Sequence, residues 1–133
     1  MRVLLDTSAY SELRRGHPEV AAIVRRSQRV YLSSIVVGEL LFGFRLGTRF
    51  LANARDLEDL LAQPRIELLS VGYTTADRFA LIASSLRRRG RALSNNDIWI
   101  AAQAMEIGAD LISLDDDFGH IEGLAFRHIG APG

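Results

Sequence analysis

Six acidic side chains stand where carboxylates can do chemistry: Asp6, Glu39, Asp97 and the run Asp115-Asp116-Asp117. Asp6 abruptly ends the short run Arg2–Leu5, and the aspartate run follows Asp110-Leu111-Ile112-Ser113-Leu114. Asp97 falls in the first turn of a helix opened by Ser94-Asn95-Asn96, whose side-chain oxygens suit an N-terminal cap. Glu39 interrupts an apolar helical stripe, with Ile35, Phe42 and Leu46 at −4, +3 and +7 from it. An unpaired carboxylate is costly to bury, so Glu39 needs a cation or hydrogen bonds.

Each of these acids alone reads as a helix cap or a solvated edge; together they suggest a shared site. Two like charges about 4 Å apart repel by roughly 4 kcal/mol at an effective dielectric near 20. A divalent cation reverses the sign. Oxygen ligands without histidine or thiolate favour magnesium or manganese over zinc or copper. Magnesium bound this way usually completes its shell with a substrate phosphate, so the chemistry expected is metal-assisted hydrolysis of a phosphodiester.

The elements that must position these acids can be read along the chain. Strands are expected at Arg2–Leu5, Val30–Leu32, Ile66–Val71, Asp110–Leu114 and Leu124–Ile129. Helices are expected from Ser8 to Arg15, from Pro18 through Val24, and from Thr48 to Ala62. Another runs from Ile35 to Leu46, apolar on nearly every side and therefore expected to be buried. Thr74 and Asp77 resemble a capping box for a helix that ends at Arg87–Arg91, and the Asp97 helix closes at Gly108. Short apolar strands alternating with helices predict an α/β domain spanning residues 1–133, with a parallel sheet of four to five strands between two helical layers. In such a sheet, ligands gather beyond the carboxyl ends of the strands, where Asp6 and the aspartate run fall.

Composition narrows the chemistry. Sixteen basic residues balance sixteen acidic ones, so no global field draws the chain to nucleic acid or membranes. Every basic residue is arginine, which removes mechanisms needing a lysine. The absence of cysteine removes disulfides, zinc-thiolate sites and thiol nucleophiles. The opening Met1-Arg2-Val3-Leu4-Leu5-Asp6 has the apolar length of neither a signal peptide nor a membrane span, which points to a soluble cytoplasmic protein. His17, His120 and His128 are scattered without metal-ligand spacing.

Four segments together resemble the PIN-domain nucleases: Leu4-Leu5-Asp6-Thr7-Ser8, Ser34-Ile35-Val36-Val37-Gly38-Glu39-Leu40, Asn96-Asp97-Ile98-Trp99-Ile100-Ala101 and Leu111-Ile112-Ser113-Leu114-Asp115-Asp116-Asp117-Phe118. The chain is more narrowly similar to VapC-type toxins of toxin–antitoxin pairs. The resemblance implies a three-layer α/β/α PIN-like fold and a magnesium-dependent endoribonuclease, with manganese as the alternative ion. Asp6, Glu39, Asp97 and Asp115 match the catalytic, metal-holding acids, with Asp117 the alternative to Asp115. Thr7 and Ser113 match hydroxyls that orient a carboxylate or a water. Asp116 is expected to point away from the site if its segment stays extended, and to be solvated. The resemblance also implies an RNA substrate (transfer RNA at the family level), a cognate VapB-like antitoxin, a homodimer, and cleavage leaving a 5′-phosphate and a 3′-hydroxyl.

Arg87, Arg88, Arg89 and Arg91 form the densest basic cluster and are candidates for positioning RNA phosphates, or else a solvated helix end suited to the helix dipole. Trp99 and Phe118 read as core or subunit-contact residues. Two other classes compete. Another magnesium-dependent phosphoryl-transfer enzyme could place acids at strand ends, but receiver modules need a lysine, and haloacid-dehalogenase-like phosphatases want an aspartate where Ser8 stands. A non-catalytic PIN-like binding module would have no need of all four acids.

Overall fold

Val3, Leu4 and Leu5 are all fully buried, as are Leu111, Ile112 and Ser113. Successive strand residues point to opposite faces, so these segments lie in a sheet covered on both sides. The computed structural model describes residues 1–132 and shows five parallel strands in the order β3-β2-β1-β4-β5. The strands are β1 (Arg2–Leu5), β2 (Arg29–Ser33), β3 (Ile66–Leu69), β4 (Asp110–Ser113) and β5 (Phe126–His128). Six helices complete the α/β architecture: α1 (Thr7–Arg14), α2 (Pro18–Arg26), α3 (Ser34–Leu46), α4 (Phe50–Leu61), α5 (Tyr73–Arg88) and α6 (Asn95–Ile107). A 3₁₀ turn spans Asp116–His120. No helix among the described residues is long and apolar enough to cross a membrane.

The chain begins in the middle of the sheet, builds β2 and β3 to one side, then crosses to lay β4 and β5 on the other. The strand order therefore reverses between β1 and β4, and a crevice forms beyond their carboxyl ends. Leu4 and Leu5 pair with Leu111 and Ile112, and the Asp6 amide still donates to the Ile112 carbonyl at 3.2 Å. The two strands thus stay zipped up to the residues that follow them.

The helix α6 sits deepest. Ile98, Ile100, Ala101, Ala102 and Ala104 are buried on successive turns, with Gln103 buried among them. Gly108 ends this helix at φ 66°, the left-handed conformation that glycine adopts without strain. Trp99 stacks on Phe79 of α5 with ring centroids 4.1 Å apart, and Phe118 is buried.

Several local expectations are corrected. The helix α3 is apolar but not enclosed: Phe42 is 67% exposed and Leu46 75%. Only Val36 and Leu40 of this helix are buried, and it packs mainly against the helices α1, α4 and α6, with β2 the one strand it meets closely. The cap of α5 is not the Thr74–Asp77 pair. The Gly72 amide donates to the Thr75 hydroxyl at 3.1 Å, and that hydroxyl donates to Glu106 of α6 at 2.5 Å. The helix therefore starts at Tyr73, ahead of Thr74, with Gly72 as its N-cap, and Thr75 ties its first turn to α6. The strands β3, β4 and β5 are also shorter than their apolar runs, since pairing stops where the neighbouring strand does.

Candidate active site

Asp6 is the N-cap of α1, and its carboxylate is held by three donors. Oδ1 accepts from the Ala9 amide at 2.9 Å and from the Ser8 hydroxyl at 2.7 Å; Oδ2 accepts from the Ser113 hydroxyl at 2.5 Å. A carboxylate has about four acceptor sites, so one remains free. The capping and site readings of Asp6 are therefore compatible: one oxygen closes the helix, and the other is tied to the end of β4.

Ser113 is fully buried and joins two of the acids. It donates to Asp6 and accepts from the Asp115 amide at 2.9 Å. Ser8 braces the same corner, accepting from the Leu114 amide at 3.0 Å. Asp115 accepts from the Asp117 amide at 2.9 Å and so starts the 3₁₀ turn. That turn removes the condition on which Asp116 was expected to point away from the site. The segment does not stay extended, and the carboxylates of Asp115, Asp116 and Asp117 gather with ligand atoms within 4.8 Å of one another. Asp116 is exposed, as a solvated residue would be.

Glu39 projects from α3, half-buried, and is held by two partners. The Thr7 hydroxyl donates to Oε1 at 2.6 Å, and the Asn96 amide donates to Oε2 at 3.3 Å. Its apolar stripe faces outward, so these hydrogen bonds, rather than deep burial, distinguish Glu39. A cavity of about 390 Å³ lined by Ile35, Glu39, Phe42 and Asn96 opens beside it.

Asp97 occupies the first turn of α6, fixed through the Ser94 hydroxyl, which accepts the Asp97 amide at 3.1 Å. Its carboxyl pKa is raised, first by burial, against the Ser94 hydroxyl, and further by the charges of Asp115, Asp6 and Glu39. These four acids thus share one electrostatic neighbourhood. Burial also raises the pKa of Asp6, opposed by its bonds from Ser113, Ala9 and Ser8 and reinforced by the charge of Asp115. The ion pairs among the described residues are Arg14–Asp56, Arg15–Glu12 and Arg127–Asp110, so no protein cation offsets the group. An all-oxygen set of crowded acids with a free acceptor site and no counter-ion fits a hard divalent cation.

The arginine cluster divides. Arg87 and Arg91 border a cavity of about 440 Å³ that reaches Asn95 at the start of α6. Arg89 turns elsewhere and donates to the His120 carbonyl at 2.6 Å, while Arg88 is exposed. Local pattern marks Ser8 only as part of a helix cap, and it pairs neither Ser8 with Asp6 nor Asn96 with Glu39. Their signal is proximity to a candidate acid, two residues after Asp6 and one before Asp97.

The chain has relatives in sequence and in fold. The model of the PIN domain matches residues 3–124. The chain belongs to the PIN-domain family. Within that family it is of VapC type: it is 30% identical over 122 residues to ribonuclease VapC5 of Mycobacterium tuberculosis, covering 92% of this chain and 89% of the relative. It is likewise 30% identical over 118 residues to ribonuclease VapC1 of Haemophilus influenzae, covering 85% and 86%. Among solved structures, VapBC-1 from nontypeable Haemophilus influenzae superposes with a TM-score of 0.85 at 27% identity, covering 96% of this chain and 98% of that one. The fold is shared still further, with a TM-score of 0.86 at 22% identity to VapBC2 of Rickettsia felis, over 97% and 99% of the two chains; that complex was solved on a DNA fragment from its promoter.

Proposed function

We propose that this PIN domain is a metal-dependent endoribonuclease toxin held in check by a VapB-like antitoxin. The observation that carries the reading is the convergence of Asp6, Glu39, Asp97 and Asp115 at the β1/β4 crevice without a compensating protein cation. The similarity to proteins named ribonuclease VapC, and to solved VapBC complexes, supports it.

In this reading Asp6, Glu39, Asp97 and Asp115 hold magnesium, with manganese as the alternative and Asp117 able to replace Asp115. The chemistry such an ion supplies when bound is activation of a water for attack on phosphorus and stabilisation of charge on the phosphate oxygens. The chain's own contribution is orientation. Ser113, Ser8 and the Ala9 amide fix the Asp6 carboxylate, Thr7 and Asn96 fix Glu39, and the Ser94 cap aims Asp97. Rigid support of this kind is what a ligand set needs to meet an ion in one geometry. Arg87 and Arg91 contact substrate phosphates beside the start of α6. Transfer RNA is the substrate class the family suggests, and the chain works as one PIN domain, in a homodimer, in the cytoplasm.

The test is cleavage of a synthetic RNA by the purified chain with magnesium, against Asp6→Ala and Asp97→Asn. Each variant is expected to lose roughly a hundredfold or more of the rate, beyond the 10–100-fold typical of outer-shell partners. Near wild-type cutting by either variant, or undiminished cutting in excess chelator, overturns the proposal.

A further inference from the structure

A third cavity, of about 200 Å³, lies between α5 and the segment that follows the 3₁₀ turn. Arg78, Leu81, Arg89, Met105, Ile121 and Glu122 line it. Arg78, Leu81, Ser85 and Arg89 recur at +3, +7 and +11, the spacing of one helical face, so the two arginines mark the two ends of a groove. We propose that this cavity receives a guanine base of the RNA substrate, one to a few nucleotides from the cut. The proposal rests on the ribonuclease reading and adds base selection to it.

Position is the first argument. The Arg89 guanidinium is anchored on the His120 carbonyl at 2.6 Å, the last residue of the turn that opens at Asp115. At about 2.0 Å of rise per residue, that turn separates the acidic site from Arg89 by roughly 10 Å. This is a span of about three stacked nucleotides at 3.4 Å each, and fewer when the strand is extended. A strand whose phosphate lies at Asp115 therefore has a neighbouring base within reach of the cavity.

Chemistry selects the occupant. The cavity is smaller than the roughly 300–1,000 Å³ that encloses drug-sized ligands, so it suits a single ring system. Its walls combine apolar Leu81, Ile82, Met105 and Ile121 with two cations and one carboxylate. None of Arg78, Arg89 and Glu122 takes part in the ion pairs of the described residues. A bare phosphate would meet Glu122 and gain nothing from the apolar wall. An aliphatic side chain would leave all three charges unused. A nucleobase uses both kinds of wall: its face lies on apolar carbon or on a guanidinium plane, and its edge hydrogen-bonds. Among the bases, guanine presents two adjacent donors, N1–H and N2–H, which match the two oxygens of the Glu122 side chain.

The test reads binding without turnover. The cleavage-deficient Asp97→Asn chain is titrated with four uridine pentamers carrying G, A, C or U at the centre, and backbone amides are followed by NMR. The guanosine pentamer is expected to bind roughly tenfold tighter than the others, the scale of one good bidentate contact. It should shift the amides of Arg89 and residues 121–123, and Glu122→Gln should remove most of the preference. Glu122 is exposed, so that variant keeps the fold. Equal affinity for the four pentamers, shifts confined to other residues, or a preference unchanged in Glu122→Gln overturns the assignment. So does a result in which these amides respond only to rising protein concentration, which would make the cavity a contact between copies. Failure of the wild-type chain to cut RNA would instead sink the enzymatic reading, and this binding result would stand or fall separately.

Discussion

Ser113 and Asp6 lie 107 positions apart, yet the serine hydroxyl donates to the aspartate Oδ2 at 2.5 Å while accepting the Asp115 amide. One buried hydroxyl thus joins the end of β1 to the end of β4 and sets the spacing of two acids. It also offsets part of the cost of burying Asp6, since hydrogen bonds to a carboxylate favour its charged form.

Ser113→Ala removes that link and leaves Asp6 Oδ2 and the Asp115 amide without this partner. A stability loss of about 1–3 kcal/mol is expected, the usual result of stranding a buried polar group. Urea denaturation measures it, and isothermal titration with manganese should show weaker binding in the same variant. An unchanged midpoint and affinity would mean that Ser113 merely fills space.

Thr7→Val keeps the shape of the side chain and deletes the donor to Glu39. Cleavage is expected to fall by about 10–100-fold, the range for partners that orient a ligand. Thr7→Ser, which retains the hydroxyl, should recover most of it. Rates of a labelled RNA at saturating magnesium decide between these outcomes.

The raised pKa values of Asp6 and Asp97 mean that ionising them is harder in the folded chain than in the unfolded one. Between the ordinary value of about 3.9 and the raised value, the native state holds more protons, so this contribution to stability falls as pH rises through that window. Without metal at neutral pH, Asp97→Asn should therefore melt above wild type. The difference should vanish below the window, and added magnesium should favour the wild type. Thermal melts at three pH values, with and without magnesium, test the sign.

Arg87 and Arg91 border the cavity at the start of α6 and belong to none of the ion pairs of the described residues. Replacing both with alanine should reduce the salt dependence of single-stranded RNA binding by about 1.4 in log–log slope, or about 0.7 per lost phosphate contact. Fluorescence anisotropy across a salt series measures this. An unaltered slope would return both residues to the role of a solvated helix end.

Much of this protein was written locally. An apolar run that stops at an acid marks a strand end, and three capping residues before Asp97 mark a helix start; both signals depend only on neighbours in the chain. Asp6, Glu39, Asp97 and the run Asp115–Asp117 could therefore be picked out as candidates, and the parallel α/β class inferred, from pattern alone, while Asp115 was singled out within its run only by the family resemblance. The sequence also carried enough of the family's motifs to indicate PIN-domain membership before any fold was seen.

Long-range packing decided the rest. The order β3-β2-β1-β4-β5 sets β1 beside β4, so that Ser113 reaches Asp6, and no local pattern encodes which strands adjoin. The outward face of α3 depends on what stands opposite it; apolar residues at Phe42 and Leu46 read the same whether or not anything covers them. Whether the aspartate run stays extended is left open by its residues, and it is decided where Asp115 accepts the Asp117 amide and folds the segment back. Residue types and local periodicity choose elements and their ends, while the position of one carboxylate against another is set by tertiary contacts between elements distant in the chain.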